Sequence, residues 1–155
     1  LRVIRTAIRH VSVAMVPPAP LPPAAGEENK KRPRVLVAED DFINRTLMVT
    51  ILEQEQWRTT AVENGRLALE ALAAGEYDLV LMDLQMPEMD GLTATARIRE
   101  QEKGSGKHIP IVALTAHAMK EDRDRCLAAG MDDYISKPVE YDRLFEVLNK
   151  LTTSE

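Results

Sequence analysis

Val80-Leu81-Met82-Asp83-Leu84-Gln85-Met86-Pro87 sets a carboxylate at the end of an apolar run and just ahead of a proline that halts the backbone. A short run that is apolar throughout and closed by a breaker reads as a strand buried on both faces of a parallel sheet. Three other stretches share this build: Val35-Leu36-Val37-Ala38-Glu39-Asp40-Asp41, Ala113-Leu114-Thr115-Ala116 and Ile135-Ser136-Lys137-Pro138. Each ends in one or two polar groups.

Working outward, short β-branched or Leu-rich runs alternate with longer helical patterns, the signature of a parallel sheet with crossover helices. Strands are predicted near 34–38, 57–62, 78–82, 109–113 and 133–135, and helices near 42–54, 65–74, 91–103, 117–129 and 140–151. The first, third and fourth strands are the most apolar and are expected at the centre. Leu47, Ile51 and Leu52 form an apolar stripe on the first helix, and Leu144, Leu148 and Leu151 on the last. Asp90 is the expected N-cap of the third helix, and Gly75 and Gly130 stand where helices end in left-handed residues. The pattern is (βα)5. In such sheets the loops that follow the strands line one edge, where ligands bind. Glu39, Asp40, Asp83, Thr115 and Lys137 are therefore expected in one cleft.

The remaining sequence frames this unit. Residues 1–34 carry seven Lys/Arg against two Glu, a net +5, which leaves −10 for residues 35–155 out of the total of −5. An acidic domain lacks the basic face that displaces counterions from nucleic acid, so direct nucleic-acid binding is not expected. No apolar run approaches the roughly 20 residues of a membrane span, and one cysteine, Cys126, permits no internal disulfide. A cytoplasmic setting follows, with membrane contact left to the parent chain. Pro17-Pro-Ala-Pro-Leu-Pro-Pro23 favours an extended spacer. The reading is a fragment end and Pro-rich linker over 1–32, one domain over 33–152 and a tail at 153–155.

Three carboxylates in one cleft repel each other. At 4 Å and an effective dielectric near 20, each pair costs about 4 kcal/mol, so the cluster protonates, spreads or binds a cation. Hard oxygen ligands suit Mg²⁺, with Mn²⁺ as a substitute, and neither Cys nor His is at hand for zinc. Thr115 offers a hydroxyl donor and Lys137 a compact cation, and both suit the oxygens of a phosphoryl group. Asp83 is the candidate acceptor. Taken singly, an Asp after a strand is more often a cap or turn former. Four such strand ends in one chain set Asp83 apart from that commoner case.

Glu39-Asp40, Asp83-Leu84-Gln85-Met86-Pro87-Glu88-Met89-Asp90-Gly91, Ala113-Leu114-Thr115-Ala116 and Lys137-Pro138 together resemble the receiver domain of two-component response regulators. The resemblance covers about residues 33–152. It implies a flavodoxin-like sheet of order 2-1-3-4-5 and phosphorylation on Asp83. It also implies Mg²⁺ held by Asp40, Asp83 and the backbone carbonyl of Gln85, with Glu39 acting through water. Thr115 and Lys137 then contact the phosphoryl oxygens, and a cis Lys137–Pro138 peptide is expected. Gln85 and His117 match positions that tune hydrolysis, while Thr115 and Tyr134 match a switch that alters the face of helix 4, strand 5 and helix 5. Asp41 reads as a helix start, and Cys126 as a packed helix residue.

The segment from Ala113 to Pro138 is particularly similar to C-terminal receivers of hybrid sensor histidine kinases. That likeness implies a kinase dimerisation/phosphoacceptor domain as donor and a histidine phosphotransfer domain as a further partner. No enzyme activity beyond self-phosphorylation and self-dephosphorylation is expected of the chain itself. Two other readings stand beside this one: a receiver-like docking module that is not phosphorylated, and a Mg²⁺-dependent phosphatase passing through an aspartyl phosphate.

Overall fold

The computed structural model describes residues 32–116 and 119–152. The expectations for the N-terminal segment, for His117 and for the tail lie outside these residues. Five strands alternate with five helices: β1 (Arg34–Ala38), α1 (Phe42–Gln54), β2 (Arg58–Val62), α2 (Gly65–Ala74), β3 (Leu79–Asp83), α3 (Gly91–Glu102), β4 (Ile111–Thr115), α4 (Lys120–Ala129), β5 (Asp133–Ser136) and α5 (Tyr141–Thr152). All strand pairs are parallel, in the order β2-β1-β3-β4-β5. The flavodoxin-like order is thus present, with the three most apolar strands inside.

Alternation along the strands divides the core into two faces. Val35, Val37, Leu79, Leu81, Val112 and Leu114 pack with Met48 and Leu52 of α1, Trp57, and Leu144, Val147 and Leu148 of α5. Leu36, Val80, Met82, Ile111 and Ala113 face the other way, onto Ala68 of α2, Ala94 and Ile98 of α3 and Cys126 of α4. Burial on both faces explains why β3 and β4 are apolar up to their last residue, whereas the edge strands β2 and β5 are mixed.

Several expected boundaries move. β3 runs one residue further than predicted and β4 two, so Asp83 and Thr115 are the last residues of their strands. Pro110 has no N–H for the ladder, which starts at Ile111. α4 begins at Lys120, later than expected. Gly130 is left-handed, with φ of 109°, but Gly75 is extended, since the chain runs straight on towards β3 after its N–H reaches Ala71 O. Leu47 leaves the predicted stripe: it is 56% exposed, and Met48 takes its place in the core.

Cys126 is buried, and burial pushes its thiol pKa up. Its sulfur is therefore expected to resist thiol reagents in the folded protein and to react at the rate of a free thiol once denatured. Rapid labelling without denaturant contradicts this packing.

Candidate functional site

The strand ends deliver the side chains to one edge of the sheet. Asp83 ends β3 and is 5% exposed, as is Thr115 at the end of β4. Glu39 follows β1 directly and is buried, while Asp40 beside it is exposed. Lys137 follows β5, and its N–H donates to Thr115 O at 2.7 Å. The Lys137–Pro138 peptide is cis.

These residues line one open cleft of about 640 Å³. Lys137 Nζ lies 3.0 Å from both Asp83 Oδ2 and Glu39 Oε1. The other oxygen of Asp83, Oδ1, accepts the Gln85 N–H at 3.3 Å. One carboxylate oxygen from each of Glu39, Asp40 and Asp83 lies within 4.8 Å of the others.

Electrostatics mark the cluster as underneutralised. Burial, with the nearby Asp83, raises the Glu39 pKa against the opposing pull of Lys137. Burial works against the Lys137 ammonium, but its bonds to Asp83 and Glu39 win and hold its pKa above the usual value. Among the described residues, Lys137 is thus the cation paired within a cluster of three carboxylates, Glu39, Asp40 and Asp83. A hard divalent ion fits that donor set, which is all oxygen, converging and short of positive charge.

Capping separates the acids by role. Asp41 accepts the Asn44 N–H at 2.8 Å as the N-cap of α1, which commits that carboxylate to the helix start. Asp90 caps α3 in the same way through Thr93. The loop between Asp83 and α3 is closed by Gly91 N–H donating to Leu84 O at 3.0 Å.

The structure adds residues that the sequence reading did not single out. Arg45 Nη1 donates to Glu39 O at 2.8 Å and to Asp40 O at 3.2 Å, fixing the backbone of the acidic pair from the first turn of α1. A basic side chain at helical spacing behind a cap is common on surfaces, so the sequence carried no special signal for it. Asp122 and Arg125 of α4 also line the cleft and pair with each other at 3.4 Å. Of the expected switch residues, Tyr134 is partly buried in β5 and packs against the α2–α4 side of the core.

The sequence pattern described as "Response regulator receiver domain" matches residues 35–149. The chain belongs to this family. The receiver domain is 45% identical over 121 residues to hybrid signal transduction histidine kinase I of Dictyostelium discoideum, covering 75% of this chain and 7% of that protein. It is 44% identical over 125 residues to the sensor histidine kinase GacS of Pseudomonas protegens, covering 80% of this chain and 14% of that protein. The chain therefore spans a small part of these relatives.

Among solved structures, the receiver domain of a Pseudomonas aeruginosa sensor histidine kinase, crystallised with a magnesium ion coordinated in its active-site cleft, matches at 38% identity. Its TM-score is 0.72, over 80% of this chain and 100% of that one. The receiver domain of the Saccharomyces cerevisiae response regulator Ssk1, in complex with the histidine phosphotransfer protein Ypd1, is matched at 31% identity and a TM-score of 0.72, over 78% of this chain and 89% of that one. Among the described residues no helix is long and apolar enough to cross a membrane.

Proposed function

We propose that this receiver domain accepts a phosphoryl group from a phosphohistidine onto Asp83. The observation that carries the reading is the buried Asp83 carboxylate, held between Lys137 Nζ and the Gln85 N–H and beside the acids Glu39 and Asp40. An Asp83 carboxylate oxygen attacks phosphorus, the P–N bond breaks, and the imidazole departs with the bonding electrons and takes up a proton. The product is an acyl phosphate. Lys137 then exchanges a carboxylate contact for a phosphoryl oxygen, and Thr115 supplies its hydroxyl to another.

Asp40, Asp83 and the Gln85 carbonyl are the proposed holders of Mg²⁺, with Mn²⁺ as a substitute and Glu39 acting through water. When bound, the ion offsets negative charge on the phosphoryl oxygens. Gln85 at the rim, with His117, is assigned to tuning hydrolysis. Phosphorylation pulls on Thr115 and Tyr134 and so alters the α4–β5–α5 face.

Hybrid-kinase relatives and the Ypd1–Ssk1 complex support a relay in which a kinase histidine donates and a histidine phosphotransfer domain receives. On this reading residues 33–152 are the receiver unit of a longer, cytoplasmically facing kinase. Incubation with acetyl phosphate and Mg²⁺ tests the acceptor role: a base-labile adduct at Asp83 is expected. Absence of any adduct favours a docking module, and multiple turnover of phosphoesters favours a phosphatase.

The donor must bring its histidine to the cleft, so its surface must cover the rim. On α1, Phe42, Ile43 and Leu47 are 69%, 72% and 56% exposed. Beside them an apolar groove formed by Met48, Ile51, Pro138 and Val139 runs up to Glu39 and Lys137. The apolar face of a histidine-bearing helix fits this groove. Ile43→Asp with Leu47→Asp is expected to slow transfer from a phosphorylated protein donor roughly tenfold or more, while labelling by acetyl phosphate is unchanged. Equal loss with both donors refutes the docking role.

A further inference from the structure

Among the five helices α4 has the thinnest anchorage in its own sequence. Cys126 is its one buried residue among ten, and its N-cap Met119 makes no side-chain hydrogen bond. The C-terminal end is pinned, because Cys126 enters the core and Arg99 of α3 donates Nε to Gly130 O at 2.9 Å. Towards the N-terminal end a different contact operates. The Arg123 guanidinium stands over the Tyr134 ring, 5.8 Å from its centroid, and Nη1 lies 3.4 Å from the phenol oxygen.

The position of this contact gives it meaning. α4 starts five residues after Thr115, whereas Tyr134 lies in β5, opposite Ala113 of β4 and three residues before Lys137. Arg123 thus ties the segment that leaves one phosphoryl-contacting residue to the strand that leads to the other. Both groups of the pair are accessible, Tyr134 being half-buried and Arg123 exposed, so the contact can break without opening the core.

We propose that Arg123 is a latch on Tyr134 that favours the unphosphorylated arrangement of α4, and so sets the affinity of Asp83 for a phosphoryl group from outside the cleft. This rests on the acceptor and switch reading above. If the ring turns inward when Asp83 is occupied, the Arg123 contact is lost, and its free energy is subtracted from binding. By linkage, removing the latch must strengthen binding of the phosphoryl mimic by the same factor. A cation over an exposed ring is worth about 0.5–1 kcal/mol, which converts to a gain of about two- to fivefold.

The test is a calorimetric titration of the protein with beryllium fluoride in Mg²⁺, for wild type, Arg123→Ala, Arg123→Lys, Tyr134→Ala and the Arg123→Ala/Tyr134→Ala pair. Arg123→Ala is expected to bind about two to five times more tightly, Arg123→Lys to return most of the way to wild type, and Arg123→Ala to have no effect once Tyr134 is alanine. A residue that merely supports the fold moves affinity the other way. Unchanged or weaker binding by Arg123→Ala, or an equal gain without the Tyr134 ring, overturns the latch. Failure of the wild type itself to bind beryllium fluoride overturns the acceptor reading instead, and the latch with it.

Discussion

Asp83→Asn is expected to lower phosphoryl incorporation from acetyl phosphate by at least about a thousandfold, since the substitution removes the attacking oxyanion while keeping size and hydrogen-bonding shape. The fold should survive. Asp83 helps to raise the Glu39 pKa, and the amide relieves that repulsion. Against this, Lys137 loses a charged partner that raises its own pKa. The signs oppose each other. Glu39, raised above its unfolded value, gives stability that is present at low pH and fades as pH rises through its folded pKa. Lys137, also raised, gives stability at neutral pH that fades only in strong alkali. The melting temperature at neutral pH should therefore move by only a few degrees, while the Glu39 carboxyl, followed by NMR, titrates at lower pH than in wild type. Persistent base-labile labelling of the Asn variant would show that phosphate goes elsewhere.

Much of this site was legible because its chemistry sits at strand ends. Apolar runs buried on both faces specify β1, β3 and β4, and the parallel topology then places Glu39, Asp40, Asp83, Thr115 and Lys137 on one edge whatever their separation in sequence. The resemblance to receivers added the strand order, the cis peptide and the candidate roles. What the sequence hid depends on side-chain direction. Leu47 and Met48 are both apolar, and only the rotation of α1 against the sheet decides that Met48 fills the core while Leu47 faces solvent. Arg45 is likewise one of many basic helix residues until its reach to the Glu39 and Asp40 carbonyls is seen. The contact between Arg123 and Tyr134 joins residues eleven apart on two different elements, with no periodicity to announce it.

The same dependence on close approach makes Gly91→Ala the most disruptive single-methyl change near the site. Gly91 opens α3 and is buried, and a Cβ there would lie 2.2 Å from Asp83 O and 2.9 Å from Met82 Cγ. Helix propensity favours alanine over glycine by about 1 kcal/mol, but the clash is with the backbone of β3, which lies inside the sheet and cannot retreat. Either α3 shifts and loses the Gly91 N–H bond to Leu84 O, or the end of β3 moves and takes Asp83 with it. Overpacking of this kind costs about 3 kcal/mol, corresponding to a fall of about 10 °C in melting temperature for a domain of this size. Binding of beryllium fluoride should fall further than the loss of folded protein accounts for, because Asp83 is displaced from Lys137. Gly75→Ala is the control: the nearest atom to its added Cβ is 3.7 Å away, an ordinary contact. That variant should retain both melting temperature and binding. If Gly91→Ala melts like wild type, the strand end has room to yield, and the rigid placement of Asp83 by β3 and α3 is refuted.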